Sequence, residues 1–115
     1  EDVPMFGDPR SSRDYTFISD IVAGVLAAYD RIDAHGYRVW NLGSNRPVAL
    51  GDLIAAVGEA VGRTPKVLAQ PARTGDVERT WADLTRSGAE LGYEPRTSLR
   101  EGLARQWVWA QSAAR

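Results

Sequence analysis

The groups in this sequence best placed to do chemistry are arginine and aspartate. Arg13 lies in the polar segment Arg10-Ser-Ser-Arg-Asp14. Arg73 opens Arg73-Thr-Gly-Asp76 within the longest polar loop, residues 70–82. A guanidinium is a planar fork of donors that stays charged and meets a phosphate bidentately. A carboxylate such as that of Asp76, held by the turn at Gly75, can accept two hydrogen bonds from vicinal hydroxyls like those of a ribose. Two arginines and such an acid suit a nucleoside diphosphate, although the ordinary fate of a surface arginine beside an acid is a solvated ion pair.

Other chemistries lack their groups. The single histidine, His35, falls in Asp33-Ala-His-Gly36 between a helix and a strand, where a solvated turn residue is expected rather than a general base. The single lysine, Lys66, stands between Pro65 and Val67 in a predicted strand, and cysteine is absent, which removes thiol nucleophiles, disulfides and zinc–thiolate sites. No Gly-x-Gly-x-x-Gly or Walker loop occurs; Gly43-Ser-Asn45 reads as a strand-to-loop turn. No histidine or carboxylate spacing suggests a metal. A formal net charge of −1 gives no electrostatic reason to expect nucleic acid or an anionic membrane as partner. No apolar run approaches the roughly 18 residues that span a bilayer.

The elements that must position these groups follow from periodicity. At 115 residues, 43% apolar and 25% charged, one domain over residues 1–115 is expected. A short strand ends at Gly7-Asp-Pro9, and Tyr15-Thr-Phe-Ile18 reads as another. Ser19 or Asp20 then caps a helix whose Ile21, Val22, Val25, Leu26 and Tyr29 share one face. Tyr37 to Leu42 alternates as a strand. A helix is predicted from about Leu50 to Val61 with Gly62 as its C-cap, then a strand at Lys66–Ala69. Asp83 can cap a short helix ending at Leu91-Gly92. Ser98-Leu-Arg-Glu101 is a capping box opening a last helix, with Leu103, Trp107 and Trp109 or Ala110 toward the core. The order βαβαβαα is an α/β arrangement. The start at Glu1, mid-loop and without a cap, reads as a cut inside a longer protein.

Taken together, Phe6-Gly-Asp8, Arg13-Asp-Tyr-Thr-Phe-Ile-Ser-Asp-Ile-Val22, Tyr37-Arg-Val-Trp-Asn-Leu-Gly43, Arg73-x-Gly-Asp76-Val77, Ala82-Asp83, Leu91-Gly-Tyr-Glu-Pro95 and Thr97 to Leu103 resemble the extended short-chain dehydrogenase/reductase family. Within it the chain is most similar to the UDP-glucose and UDP-glucuronate 4-epimerases, in order and over nearly its whole length. The resemblance implies the C-terminal, substrate-binding portion of a Rossmann-type enzyme, with short strands and about four helices. It implies that Arg13 and Arg73 contact the diphosphate, that Asp76 holds the ribose hydroxyls, and that Pro4 and Phe6 lie beside the uracil. Asp14, Asp20 and Asp83 match as structural ties and caps; Trp81 could wall the site or pack in the core.

The sequence departs from the family in two ways. Ala49 stands where a serine or threonine usually caps the helix near Leu50, a loss of about 1 kcal/mol unless another group substitutes. The family's glycine-rich NAD loop and Tyr-x-x-x-Lys pair are not in this chain, so the resemblance places NAD and proton transfer in an N-terminal Rossmann half. No catalytic, cofactor-binding or metal-binding residue is therefore expected here. The implied full-length enzyme is a cytoplasmic, homodimeric, NAD-dependent UDP-sugar epimerase, its dimer formed by helices outside this chain. A dTDP-sugar 4,6-dehydratase, a UDP-glucuronate decarboxylase or a keto-sugar reductase on the same scaffold, or a free-standing interaction domain, are the alternatives.

Overall fold

The computed structural model describes residues 2–114. The element order is β1 (Val3–Phe6), β2 (Ser12–Arg13), α1 (Ile18–His35), β3 (Val48–Ala49), α2 (Leu50–Val61), β4 (Val67–Gln70), α3 (Thr85–Leu91) and α4 (Leu99–Ala113). The class is α/β, with four helices and short strands. β1 and β4 pair in parallel, Val3 opposite Val67 and Phe6 opposite Gln70. β2 pairs antiparallel with β3, Ser12 opposite Ala49 and Arg13 opposite Val48. A parallel pair needs a long crossover, and the one between β1 and β4 carries α1 and α2.

α2 shows how a distant loop completes a helix. Ala49 at its N-cap offers no side-chain acceptor. Main-chain carbonyls substitute: Leu50 N–H donates to Ser11 O at 2.8 Å, and Gly51 N–H to Pro9 O at 3.0 Å. Two orphan donors of the first turn are thereby satisfied, and residues 9–11 are fixed at the foot of α2. Gly62 ends the helix in the left-handed conformation, φ 70°. α4 begins as the capping pattern predicts, Ser98 Oγ accepting from Glu101 N–H at 3.2 Å. α2 packs along α4, and α1 against α3.

Several sequence expectations do not hold. Residues 14–17 are irregular, because β3 offers only two residues of register and pairing stops at Arg13. Asp20 does not cap α1. Phe17 occupies the N-cap, and Asp20 lies 8% exposed in the first turn, accepting from Arg96 N–H at 3.2 Å and Thr97 N–H at 3.0 Å. A buried carboxylate needs such donors, and Asp20 gains them by tying the 96–97 segment to α1. Residues 37–42 form no strand, since no described neighbour supplies ladder partners; side chains hold the segment instead. Arg38 donates to both Glu90 oxygens at 2.6 Å, Asn41 Nδ2 to Asp83 O at 3.3 Å, and Arg86 Nη1 to Val39 O at 3.2 Å. On α4, Leu103 and Ala110 are half-buried, but Trp107, expected toward the core, is 37% exposed and Trp109 65% exposed.

The enclosed core is small: Leu91 and Tyr93 are its buried apolar side chains, beside the fully buried Ser87. The apolar stripe of α1, comprising Ile18, Val22, Val25, Leu26, Tyr29 and Ile32, is exposed, as are Tyr37 and Val39. The radius of gyration is 16.8 Å and the extents are 50 × 36 × 19 Å. A self-contained domain of this length would have a radius near about 13 Å. The chain is therefore flat, with an apolar side turned outward.

Candidate functional site

The first strand and the longest loop meet at one cleft. β1 and β4 run side by side, and Gly7 N–H donates to Gln70 O at 3.0 Å, so the loop leaving β4 starts beside Gly7. At its other end Ser12 N–H donates to Glu78 O at 2.9 Å and Thr80 N–H to Ser12 O at 3.1 Å. Both ends of the segment are thus anchored on residues 7–12. Between them Arg73 to Asp76 form a turn closed by Asp76 N–H to Arg73 O at 3.2 Å. Gly75 at φ 88° supplies the positive φ that this turn requires.

The cleft, about 470 Å³, is lined by Pro4, Phe6, Arg13, Tyr15, Asp76 and Glu78 among others. Arg13 is 27% exposed; its Nη1 donates to Ser12 O at 2.8 Å, and its Nη2 lies 3.6 Å from Asp76 Oδ1. Arg73 does not line the cleft. Its guanidinium carbon sits 3.8 Å from the centroid of the Phe6 ring. Four of the five residues singled out from the sequence therefore surround one space, and the fifth stacks on one of them. Tyr15 and Glu78 line it too. The signal for Tyr15 was available, two positions after Arg13 and on the same side of an extended segment, but it was absorbed into a predicted strand.

Behind the cleft, Asp14 holds the loops in register. Its carboxylate accepts from Ser44 N–H at 2.9 Å, Asn45 N–H at 3.0 Å, Ala82 N–H at 3.1 Å and the Ser44 hydroxyl, while Thr80 Oγ1 accepts from Asp14 N–H at 3.1 Å. Burial pushes the Asp14 carboxyl up, but the donors of Ser44, Ala82 and Asn45 outweigh it and hold it below the usual aspartate range. Asp14 is the loop tie the sequence suggested. Trp81 neither lines the cleft nor packs in the core. It is exposed, with Nε1 donating to Asn45 Oδ1 at 2.5 Å and Arg79 4.5 Å above its ring.

His35 is not the freely solvated residue expected. It is half-buried, edge-on to Trp40 at 5.3 Å, with Nδ1 3.5 Å from Glu90 Oε1. The Arg38 fork beside Glu90 is the main cause that lowers that carboxyl to about 2, burial opposing it and the Trp40 and His35 contacts assisting. None of these four residues lines the cleft. Among the described residues no cluster of three or more His, Cys, Asp or Glu could hold a metal ion, and no helix is long and apolar enough to cross a membrane.

No protein-family model matches the chain. Individual relatives do. It is 32% identical to the UDP-glucuronate 4-epimerase of Thermodesulfobacterium geofontis over 110 residues, which is 95% of this chain and 33% of that protein. An epimerase from Methanothermobacter thermautotrophicus superposes with a TM-score of 0.92 at 31% identity, covering 99% of this chain and 34% of the other. The chain is a homologue of the UDP-sugar 4-epimerases. The UDP-glucose 4-epimerase of Bifidobacterium longum, solved in complex with NAD+ and UDP, likewise gives 0.92 at 27% identity, with 99% and 36% covered. The chain spans about a third of the length of the relatives it matches. Over that third this epimerase homologue carries the fold of the extended short-chain dehydrogenase/reductase enzymes. What its described residues assemble is a cleft lined by Phe6, Arg13 and Asp76, with Arg73 stacked on Phe6.

Proposed function

We propose that this chain binds the nucleoside diphosphate of a UDP-sugar, as one region of an NAD-dependent UDP-sugar 4-epimerase of its relatives' length. The observation that carries the reading is the convergence of Pro4, Phe6, Arg13 and Asp76 on one cleft, with Arg73 against Phe6. Arg13 and Arg73 clamp the diphosphate through bidentate, charge-assisted hydrogen bonds. Asp76, exposed on a glycine turn, accepts the two ribose hydroxyls; Pro4 and Phe6 flank the base. The residues of this chain do not fit NAD: no strand here runs into a glycine-rich phosphate loop, and no Tyr-x-x-x-Lys pair is present. Cofactor and catalytic proton transfer are therefore assigned, in this proposal, to residues outside it.

The rest of such a protein, taken here as a cytoplasmic homodimer, is also the proposed cover for the apolar face of α1 and the unpaired 37–42 segment. The exposed apolar face of α1 disfavours a free-standing interaction domain, since monomeric proteins rarely expose contiguous apolar patches of this kind. Calorimetric titration of UDP into the intact protein tests the site. Removing one charge-assisted contact in Arg73→Ala is expected to weaken UDP by about 10- to 100-fold; an unchanged affinity would show the assignment wrong. NMR of the sugar products separates epimerisation from dehydration, decarboxylation or reduction.

A further inference from the structure

The two arginines assigned to phosphate are already in contact with the cleft's own residues. Arg13 lies 3.6 Å from Asp76. Arg73 is stacked on Phe6 at 3.8 Å, and although Phe6 lines the cleft, Arg73 does not. The segment that carries Arg73 is otherwise lightly held: every residue from 71 to 78 is exposed, and among the described residues 71–77 send no backbone hydrogen bond beyond themselves. Its position is set by its two anchored ends, the Asp76 contact and the Phe6 stack.

We propose that the Phe6 ring is a parking place for Arg73, an autoinhibitory contact that the ligand must break. This rests on Arg73 being a phosphate ligand, as proposed above. A guanidinium and a nucleobase cannot occupy the same face of one ring. A ligand that brings both base and diphosphate displaces Arg73 from Phe6 and recaptures it on phosphate. A ligand that brings only phosphate must draw Arg73 away from the ring with nothing to replace it there. The contact thus selects nucleoside diphosphates against free pyrophosphate, and the cleft restrains its own affinity for simple anions.

The test uses the intact protein, with inorganic pyrophosphate and UDP as the two titrants. Phe6→Leu removes the ring face. Phe6→pentafluorophenylalanine keeps the ring's shape while reversing its quadrupole, and guards against a packing defect in the first variant. An exposed cation–π contact of this kind is worth about two- to fivefold in an equilibrium, so both variants should bind pyrophosphate about two- to fivefold more tightly than wild type. UDP should gain nothing. Pyrophosphate binding that is unchanged or weaker in both variants, or unmeasurable in all three proteins, overturns the parking contact. Wild-type protein that fails to bind UDP overturns the nucleotide-site reading itself, a separate result.

Discussion

Asp14→Ala should be among the most damaging single substitutions near the cleft. Three main-chain N–H groups and one hydroxyl converge on its carboxylate from residues 44, 45 and 82. Hydrogen bonds to a charged acceptor contribute about 1.5–3 kcal/mol each, but bonds that share one carboxylate do not add in full. Asn45 is exposed and water can replace its bond. Ser44 and Ala82 are half-buried, and leaving their N–H groups unpaired costs about 1–3 kcal/mol apiece. The expected loss is about 3–5 kcal/mol for Asp14→Ala and about 1–2 kcal/mol for Asp14→Asn, which keeps one acceptor. In an intact protein of its relatives' length, at roughly 2 °C per kcal/mol, the alanine variant should melt about 6–10 °C lower. Urea unfolding followed by tryptophan emission measures it, with Trp81, bonded to Asn45, reporting from the junction. Because the folded pKa is depressed, the stability Asp14 contributes is present above its unfolded value of about 3.9 and fades as pH falls through the lower folded value. The wild-type advantage over Asp14→Asn should therefore shrink below about pH 4. A loss under about 1 kcal/mol for alanine, or equal losses for both variants, refutes the reasoning.

Gly43→Ala should destabilise by about 2–3 kcal/mol in urea unfolding, because a Cβ there would lie 2.6 Å from Ala82 Cβ and 2.8 Å from Asp14 Oδ2, neither free to move. Gly88→Ala should instead stabilise by about 0.5–1 kcal/mol in the same assay, since it sits within α3 and its nearest neighbour would be Tyr93 O at 3.8 Å. Glu90, held to about 2 by Arg38, contributes stability that is present above its ordinary value of 4.5 and is lost between 4.5 and about 2. The melting-temperature difference between wild type and Glu90→Gln should close across that acid range.

What the sequence disclosed was whatever local rules decide. α2 and α4 were legible because period, capping serine and terminal glycine lie within one helix length. The cleft was legible as a set of residue types because Phe6, Arg13 and Asp76 fall in recognisable short segments; that Arg73 would stack on Phe6 instead of lining it was not. Pairings between distant segments were not. Nothing near Asp20 announces that residues 96 and 97 will come to it, so a carboxylate in a first turn passed for a cap. Tyr37 to Leu42 has the alternation of a strand, but a strand also needs a neighbour, which its own pattern does not encode. The apolar stripe on α1 was read correctly as a face; whether a face is covered depends on what packs there.

The parallel pairing of β1 with β4 has a consequence for the order of events in folding. Phe6 and Arg13 leave the ribosome ahead of the strand that pairs with β1 and the loop carrying Arg73 and Asp76, which follow some sixty residues later. Closing a loop of that length costs about 4 kcal/mol of chain entropy, and a two-stranded sheet offers little to offset it. The cleft is therefore among the last parts of this chain to form and among the first to open. A ligand that grips both sides acts as a clasp on that long loop, so occupancy should slow its opening, read as protection of the Gly7 amide from hydrogen exchange.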